Sequence, residues 1–129
     1  MNAENNGVYP LPDTGIAAMQ QATQADEMIF RHCDLRTAGQ GDDALALLAK
    51  DLKFPTHFGQ NFDALYDCLT DLSWQETSAS VIVLSGVDTL HACDPESWDT
   101  LLSVFAAACE FWQNEEVAFM TFIDSDTNA

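Results

Sequence analysis

Residues 55–72 read PTHFGQNFDALYDCLTDL, and the spacing of their apolar and acidic side chains predicts an amphipathic helix from about residue 61 to 72. Asn61 is a favourable N-cap, and Gly59 just before it allows backbone conformations that are closed to other residues. Side chains three or four positions apart share one face of a helix. The apolar face comprises Phe62, Leu65, Leu69 and Leu72. We therefore expect this face to lie in the core and the opposite face to meet solvent.

The opposite face carries Asp63, Asp67 and Asp71 with no Lys or Arg among them, while Thr70 lies on the same side and Tyr66 at its border. Asp63, in the first turn, is favoured by the helix dipole by about 0.3–1 kcal/mol. Like charges at i, i+4 spacing cost roughly 0.2–0.5 kcal/mol per pair. Asp67 and Asp71 therefore do not stabilise the isolated helix. The pattern is compatible with a solvated surface, and also with a helix that binds the cations of a partner.

The whole chain is strongly acidic. Its 129 residues suit one domain, 47% of them are apolar, and 21 acidic residues against 4 basic ones give a net charge of −17. Residues 54–129 contain 13 acids and no Lys or Arg, so ion pairs within that stretch can involve only histidine. This charge disfavours binding to nucleic acid or an anionic membrane and favours basic partners.

The remaining sequence features indicate a cytoplasmic protein without cofactors. The first ten residues have neither the basic nor the apolar region of a signal peptide, and no apolar run approaches a membrane span. The cysteines, which show no C-x-x-C motif, are interpreted as reduced, mostly buried thiols without a zinc site. They are Cys33, Cys68, Cys93 and Cys109. DSDTN at 124–128 has the first oxygens of a calcium loop but lacks the glycine and glutamate that complete one, so we expect no metal.

Four segments have the composition of β-strands. SVIVLS at 80–85 and VAFMTFI at 117–123 are continuous apolar runs, which suit strands covered on both faces, and MIFRHCDL at 28–35 forms a further strand. VYPLP at 8–12 can form only a short edge strand, because each proline removes a backbone donor. We expect an α/β domain with a small, mainly parallel sheet of roughly three or four strands, packed with helices through right-handed crossovers.

Helices are expected between these strands. Asp13 can cap a helix over roughly 14–25, and Asp42 a second one. Asp94 and Pro95 suit the N-cap and first position of a long helix to about residue 113. The apolar stripe of the second helix is Ala44, Leu45, Leu48 and Leu52, and that of the long helix is Trp98, Leu101, Leu102, Phe105, Cys109 and Trp112.

The stretch around the acidic helix resembles the signature of the barstar family, the small intracellular inhibitors of secreted bacterial ribonucleases such as barnase. That signature runs roughly Pro, two residues, aromatic, Gly, polar, Asn, apolar, Asp-Ala-Leu, variable, Asp, Cys, Leu. The residues that match it in one register are Pro55, Phe58, Gly59, Asn61, Phe62, Asp63, Ala64, Leu65, Asp67, Cys68, Leu69 and Thr70. The order of elements is also similar to that of barstar. The resemblance implies one barstar-like domain over 1–129, with a core at 28–124, an N-terminal extension at 1–27 that contains a short strand and a helix, and a frayed tail at 125–129.

The resemblance also implies a function. In the family, the acidic helix and the loop before it plug a ribonuclease active site, and two aspartates pair with the arginines and the histidine that would hold substrate phosphate. Those aspartates correspond to Asp63 and Asp67, and His57 and Tyr66 stand where barstar has a tyrosine and a tryptophan. The implied partner-binding residues are His57, Phe58, Gly59, Asn61, Asp63, Tyr66, Asp67, Thr70 and Asp71. The resemblance thus implies a non-enzymatic inhibitor, immunity protein or antitoxin that binds a basic ribonuclease in a 1:1 complex.

Two departures from the barstar pattern suggest a partner that differs in detail from barnase. A glutamate that barstar contributes from its last long helix aligns with Ala107, with Glu110 about one turn later, and Asp71 stands where barstar has a glycine. Other classes of protein stay open. A catalytic role for Cys68 is disfavoured because the helix pattern points its side chain inward. An acidic mimic of nucleic acid, or a general interaction module, would spread its binding over many acids.

Overall fold

The computed structural model describes residues 3–54, 61–71 and 79–124 of the chain. Strands and helices alternate along these segments, which is the pattern of an α/β protein. The strands are β1 (Gly7–Pro10), β2 (Ile29–Asp34), β3 (Ser80–Ser85) and β4 (Phe119–Asp124). The helices are α1 (Gly15–Ala25), α2 (Gly41–Asp51), α3 (Phe62–Leu69), α4 (Asp88–Cys93) and α5 (Pro95–Asn114), and a 3-10 turn covers Ala3–Asn5.

The strands form one parallel sheet in the order β1-β4-β3-β2. Every residue of β3 is buried, because this strand lies inside the sheet and is covered on both faces. β1 lies at an edge, where the missing N–H of Pro10 is tolerated. The predicted α/β fold with a mainly parallel sheet is therefore confirmed.

Each face of the sheet has its own hydrophobic core. On one face α2, α3 and α5 contribute side chains such as Leu48, Leu65 and Phe105 to the larger cluster. On the other face α1 contributes Met19 to a smaller cluster with Val83. The two predicted stripes face the larger core, where Ala44, Leu45, Leu48, Leu52, Trp98, Leu101, Phe105, Cys109 and Trp112 are buried and Leu102 is half-buried. No helix in the described segments has the length and hydropathy of a membrane span.

The segment before residue 28 contains the edge strand β1 and the helix α1. β1 pairs with β4, and Asn6 just before it makes further contacts. The Asn6 side-chain amide donates to the carbonyl oxygens of Cys109 at 3.1 Å and Val117 at 2.9 Å, and its oxygen accepts the Phe119 N–H at 2.7 Å. These hydrogen bonds tie the N-terminal segment to the end of α5 and the start of β4.

The caps predicted for the first two helices are wrong. Asp13 lies in a turn closed by a hydrogen bond from the Gly15 N–H to the Pro12 carbonyl, and Thr14 is the residue before α1. α2 begins at Gly41, so Asp42 lies in its first turn and not at the cap. An acid in the first turn still interacts favourably with the helix dipole. In α2 the cap is supplied from a distant part of the chain.

Asp94 supplies that cap and also the predicted cap of α5. One carboxylate oxygen accepts the Gly41 N–H at 2.9 Å, and the other accepts the Ser97 N–H at 3.4 Å. A Cβ at position 41 would lie 2.5 Å from Ser97 Oγ, so glycine permits this close approach of the two helices. The hydrogen bonds from Ser97 and then Gly41 stabilise the carboxylate and lower the pKa of Asp94.

A candidate partner-binding face

The acidic helix α3 begins where the sequence predicts. Asn61 is its N-cap, and the Asn61 side-chain oxygen accepts the Ala64 N–H at 2.7 Å. Leu65 and Leu69 are fully buried and Phe62 is half-buried, so the predicted apolar face contributes to the larger core. A cap at one end and burial along one side therefore fix the helix.

The C-terminal end of α3 comes earlier than predicted. Leu69 is the last helical residue and Thr70 is the C-cap, while Leu72 lies outside the described residues. The Tyr66 carbonyl oxygen accepts both the N–H of Thr70 at 3.0 Å and its hydroxyl at 2.8 Å. The Leu69 carbonyl accepts the indole N–H of Trp112 at 2.8 Å. These bonds satisfy carbonyl groups that would otherwise lack partners at the helix end.

Asp63 and Asp67 are both exposed on the outer face of α3. As residues four apart on a helix, they have Cβ atoms about 5–6 Å from each other. Residues 54–129 contain no Lys or Arg, and neither carboxylate has an ion-pair partner in the described part of the chain. The two carboxylates thus present negative charge to any molecule that contacts this face, and the fixed helix holds them in place.

A cleft of about 390 Å³ separates the outer part of α3 from α5. The α3 wall consists of Phe62, Asp63, Tyr66 and Asp67, and the α5 wall of Thr100, Ser103, Val104 and Ala107. This volume lies in the range of cavities that bind small molecules, and it also suits a single large side chain. The two exposed aspartates therefore stand beside a depression and not on a flat surface.

The predicted site residues divide into three groups. Asp63, Tyr66 and Asp67 line the cleft, whereas Asn61 and Thr70 are the caps of α3. Asp71 is exposed just beyond the helix. His57, Phe58 and Gly59 lie outside the described residues. Their part in partner binding stays a prediction.

The α5 wall was not predicted as part of the site, apart from the alignment of Ala107. Thr100, Ser103, Val104 and Ala107 are spaced by three or four residues, so they form a face of α5 beside its buried stripe. That spacing is visible in the sequence, but nothing in it indicates that this face lies next to the acidic helix. Glu110, one turn further on, is exposed and does not line the cleft.

The described thiols are free and differ in burial. Cys33 and Cys109 are buried, Cys68 is half-buried and Cys93 is exposed. Burial raises the pKa of Cys33 far above its usual range and that of Cys109 to about 11. Burial, then the charges of Asp71 and Asp67, raises the pKa of Cys68, which makes it a poor nucleophile. Among the described residues, no group of three or more His, Cys, Asp or Glu side chains is placed to hold a metal ion.

These features define a small α/β protein that exposes an acidic helix beside a cleft. Residues 28–124 match the sequence model of a family described as "Barstar (barnase inhibitor)". The chain belongs to the Barstar family. The matched region runs from the start of β2 to the end of β4 and includes the acidic helix. The resemblance in the sequence is therefore confirmed, and the family is one of inhibitors and not of enzymes.

Among solved structures, the chain is similar to the Aeropyrum pernix ORC2 protein in its ADPNP-ADP complexes. The TM-score is 0.60 at 15% sequence identity, and the alignment covers 95% of this chain and 35% of the ORC2 chain. At such low identity the likeness concerns the fold alone, and this chain spans only about a third of the other protein. A comparison with curated proteins gave no match.

Proposed function

We propose that this protein inhibits a secreted or toxin ribonuclease by placing α3, and the loop before it, in the active site of that enzyme. The observation that carries the proposal is the pair of exposed carboxylates, Asp63 and Asp67, on successive turns of a fixed helix. A ribonuclease binds its polyanionic substrate with clustered cations, and carboxylates at helical spacing can take the place of phosphates there. Membership of a family described as barnase inhibitors supports the proposal.

The proposed partner is a basic ribonuclease, bound in a 1:1 complex in the cytoplasm. The net charge of −17 supports a cationic partner, because opposite charges accelerate association and disfavour acidic competitors. Ala107 and Asp71 replace the glutamate and the glycine of barstar, which supports a partner whose active site differs in detail from that of barnase. The protein would serve either as the inhibitor of a secreted enzyme or as the immunity protein of a toxin.

Inhibition of RNA cleavage tests the proposal. Barnase and any ribonuclease encoded beside this gene would be assayed with a fluorogenic RNA substrate, and calorimetry would give the stoichiometry. We expect inhibition by the wild-type protein and its loss in the Asp63→Asn, Asp67→Asn double variant. Asp13→Asn, which removes one exposed charge at the start of α1, is the matched control and should inhibit normally. Failure of the wild-type protein to inhibit any of these enzymes would contradict the proposal.

An acidic mimic of nucleic acid is the second candidate, favoured by the 13 acids spread over residues 54–129. Such a mimic would bind a DNA-binding or RNA-binding protein through many carboxylates that contribute similarly. Neutralising the exposed acids one at a time separates the two functions. An active-site plug depends mainly on Asp63 and Asp67, whereas a mimic loses a small, similar increment at each position.

A further inference from the structure

The sheet has one open edge, along β2. This strand is outermost in the order β1-β4-β3-β2, and among the described strands it pairs only with β3. The N–H groups of Ile29 and Leu35 donate toward β3, each at 2.8 Å. Successive residues of a strand alternate in direction, so the backbone N–H and C=O groups of Phe30, His32 and Asp34 point away from the sheet. In the described part of the chain, no other backbone group bonds to them.

We propose that this edge joins two copies of the chain, with their β2 strands antiparallel about a two-fold axis at His32. Phe30 then lies opposite Asp34 of the second copy, and His32 lies opposite its own equivalent. These pairs exchange about six backbone hydrogen bonds and merge the two sheets into one. Self-association goes beyond the proposed function and does not depend on it. No residue of β2 or α2 lines the cleft beside the acidic helix, so each copy can still bind one ribonuclease.

The charge distribution favours this edge over the rest of the surface for such a contact. All four basic residues of the chain lie within 31–53, and the same stretch contains four acids, so it is neutral. The basic residues are Arg31, Arg36, Lys50 and Lys53, and the acids are Asp34, Asp42, Asp43 and Asp51. The whole net charge of −17 therefore lies outside this stretch. Two copies repel each other least when β2 and α2 form the contact.

Arg31 of β2 has a buried donor without an acceptor. Its Nε–H makes no hydrogen bond, which is uncommon and costly for a buried polar group. The Arg31 side chain lies on the same face of β2 as that of Cys33, two residues later. The Asp51 carboxylate of α2 accepts a hydrogen bond from the Cys33 thiol, and burial, followed by this bond, raises the pKa of that thiol. A carboxylate therefore lies beside Cys33 on the face of β2 that carries Arg31.

The antiparallel pairing supplies the missing acceptor from the second copy. Arg31 then lies directly opposite Cys33 of the second copy, on the same face, with Cα atoms about 4.5 Å apart. The Asp51 carboxylate beside that Cys33 comes within reach of the guanidinium group, and the two-fold axis forms this ion pair twice. The neighbouring registers place Arg31 opposite Arg31 or Leu35 of the second copy and lack the pair. Charged side chains often protect edge strands from pairing, but in this register Arg31 meets an opposite charge.

Two half-buried apolar side chains flank the edge. Phe30 packs against the smaller core on the α1 side of the sheet, and Leu47 of α2 packs against the larger core on the other side. Leu47 lies one turn before Asp51, so it shares the side of α2 next to β2. A second copy at this edge covers the remaining apolar surface of both residues, which stabilises the dimer.

Charge reversal tests this dimer. Sedimentation velocity of the full chain over a concentration series should show the mass rising from monomer to dimer. Arg31→Glu and Asp51→Lys each place like charges across the axis, so each variant alone should raise the dimer Kd by about tenfold or more. An equal mixture of the two variants should dimerise again, because each reversed charge then meets its opposite on the other variant. Arg36→Glu and Asp42→Lys make the same changes of charge away from the paired residues and should dimerise far better than their counterparts.

Hydrogen exchange of the wild-type protein gives a second readout that needs no variant to fold. The amides of Phe30, His32 and Asp34 should exchange more slowly in concentrated than in dilute solution, because the second copy accepts their hydrogen bonds. The amides of Ile29 and Leu35, which donate toward β3, should be protected at both concentrations. A monomer at every concentration, edge amides whose exchange ignores concentration, or a variant mixture that stays monomeric would each overturn the proposed dimer.

Discussion

The indole N–H of Trp112 donates a hydrogen bond to the backbone carbonyl of Leu69 at 2.8 Å, and both residues are fully buried. The bond joins the last turn of α3 to α5. The ring of Trp112 also stacks on Phe119 of β4, with centroids 6.4 Å apart. One side chain thus connects the sheet, the long helix and the acidic helix, and it holds the carboxylates of α3 in position relative to the cleft.

Replacement of this tryptophan should destabilise the protein. Trp112→Phe leaves the buried Leu69 carbonyl without its donor, which costs about 1–3 kcal/mol of stability. The smaller phenylalanine ring also loses packing contacts, and that loss adds to the cost. The free energy of unfolding, measured by urea denaturation, checks the prediction. Trp98→Phe shrinks a ring on the same helix without removing a bond to α3, so it is the control. Equal losses in the two variants would mean that the hydrogen bond contributes little.

Loss of the carboxylate at position 67 should weaken partner binding strongly. Removal of one member of a buried charge pair generally costs about 2–5 kcal/mol, a range to which the barnase–barstar complex itself contributed. We expect Asp67→Ala to raise the Kd for an inhibited ribonuclease accordingly, and Asp13→Ala to leave it unchanged, as measured by calorimetry. If the Asp67→Ala variant binds with wild-type affinity, the main contact with the ribonuclease does not involve Asp67.

Association with the ribonuclease should depend on salt. Electrostatic steering raises the association rate constant most at low ionic strength, because exposed charges are screened over about 8–10 Å near physiological salt. Stopped-flow measurements should show the rate constant falling as NaCl is added, with a smaller change in the dissociation rate. The slope should be shallower for the Asp63→Asn, Asp67→Asn double variant. An association rate that is independent of salt would be inconsistent with a charge-directed encounter.

The double cap made by Asp94 should give stability a defined pH dependence. Its folded-state pKa is lowered below the ordinary value of 3.8, so its contribution is present above that value and is lost as the pH falls through the folded-state pKa. We expect Asp94→Ala to lower the Tm at neutral pH, and the difference from wild type to shrink in acid. Asp99→Ala, an exposed change one turn further along α5, should have a smaller effect. A constant difference across the acid range would exclude this role for the carboxylate.

The pKa of the Cys68 thiol reports on the negative charges near the end of α3. Asp71 and Asp67 both raise the pKa of Cys68, after the larger effect of burial. Asp67→Asn and Asp71→Asn should therefore lower this pKa toward 9.0 without reaching it, because burial remains. The pH dependence of alkylation by iodoacetamide, followed by mass spectrometry, gives the shift. Cys93, which is exposed, serves as the internal reference, and an unchanged profile at Cys68 would mean that the aspartates do not influence it.

Local sequence patterns were sufficient for most of the fold. The β-strand runs and the 3.6-residue periodicity identified β2, β3, α3 and α5, because the spacing of apolar residues within each element indicates which of its side chains are buried. The caps Asn61 and Asp94 were also predictable, since each bonds a backbone N–H three residues later. The short helix α4, Asp88–Cys93, was not predicted, because six residues are too few to establish a period. The acidic face of α3 needed no structure to be recognised.

The tertiary structure alone decided what surrounds that face. The Asp94–Gly41 bond joins residues 53 positions apart, and the Trp112–Leu69 bond joins residues 43 apart. Neither hydrogen bond can be predicted from the spacing of residues within one helix or strand. The cleft likewise exists only because α3 and α5 pack side by side, which brings Ala107 and Ser103 opposite Asp63 and Asp67. The sequence by itself determined which helix carries the charge, because helical spacing is a local property. Which side chains lie beside that charge depends on which distant segments pack into the same core. Only the tertiary structure decides this packing.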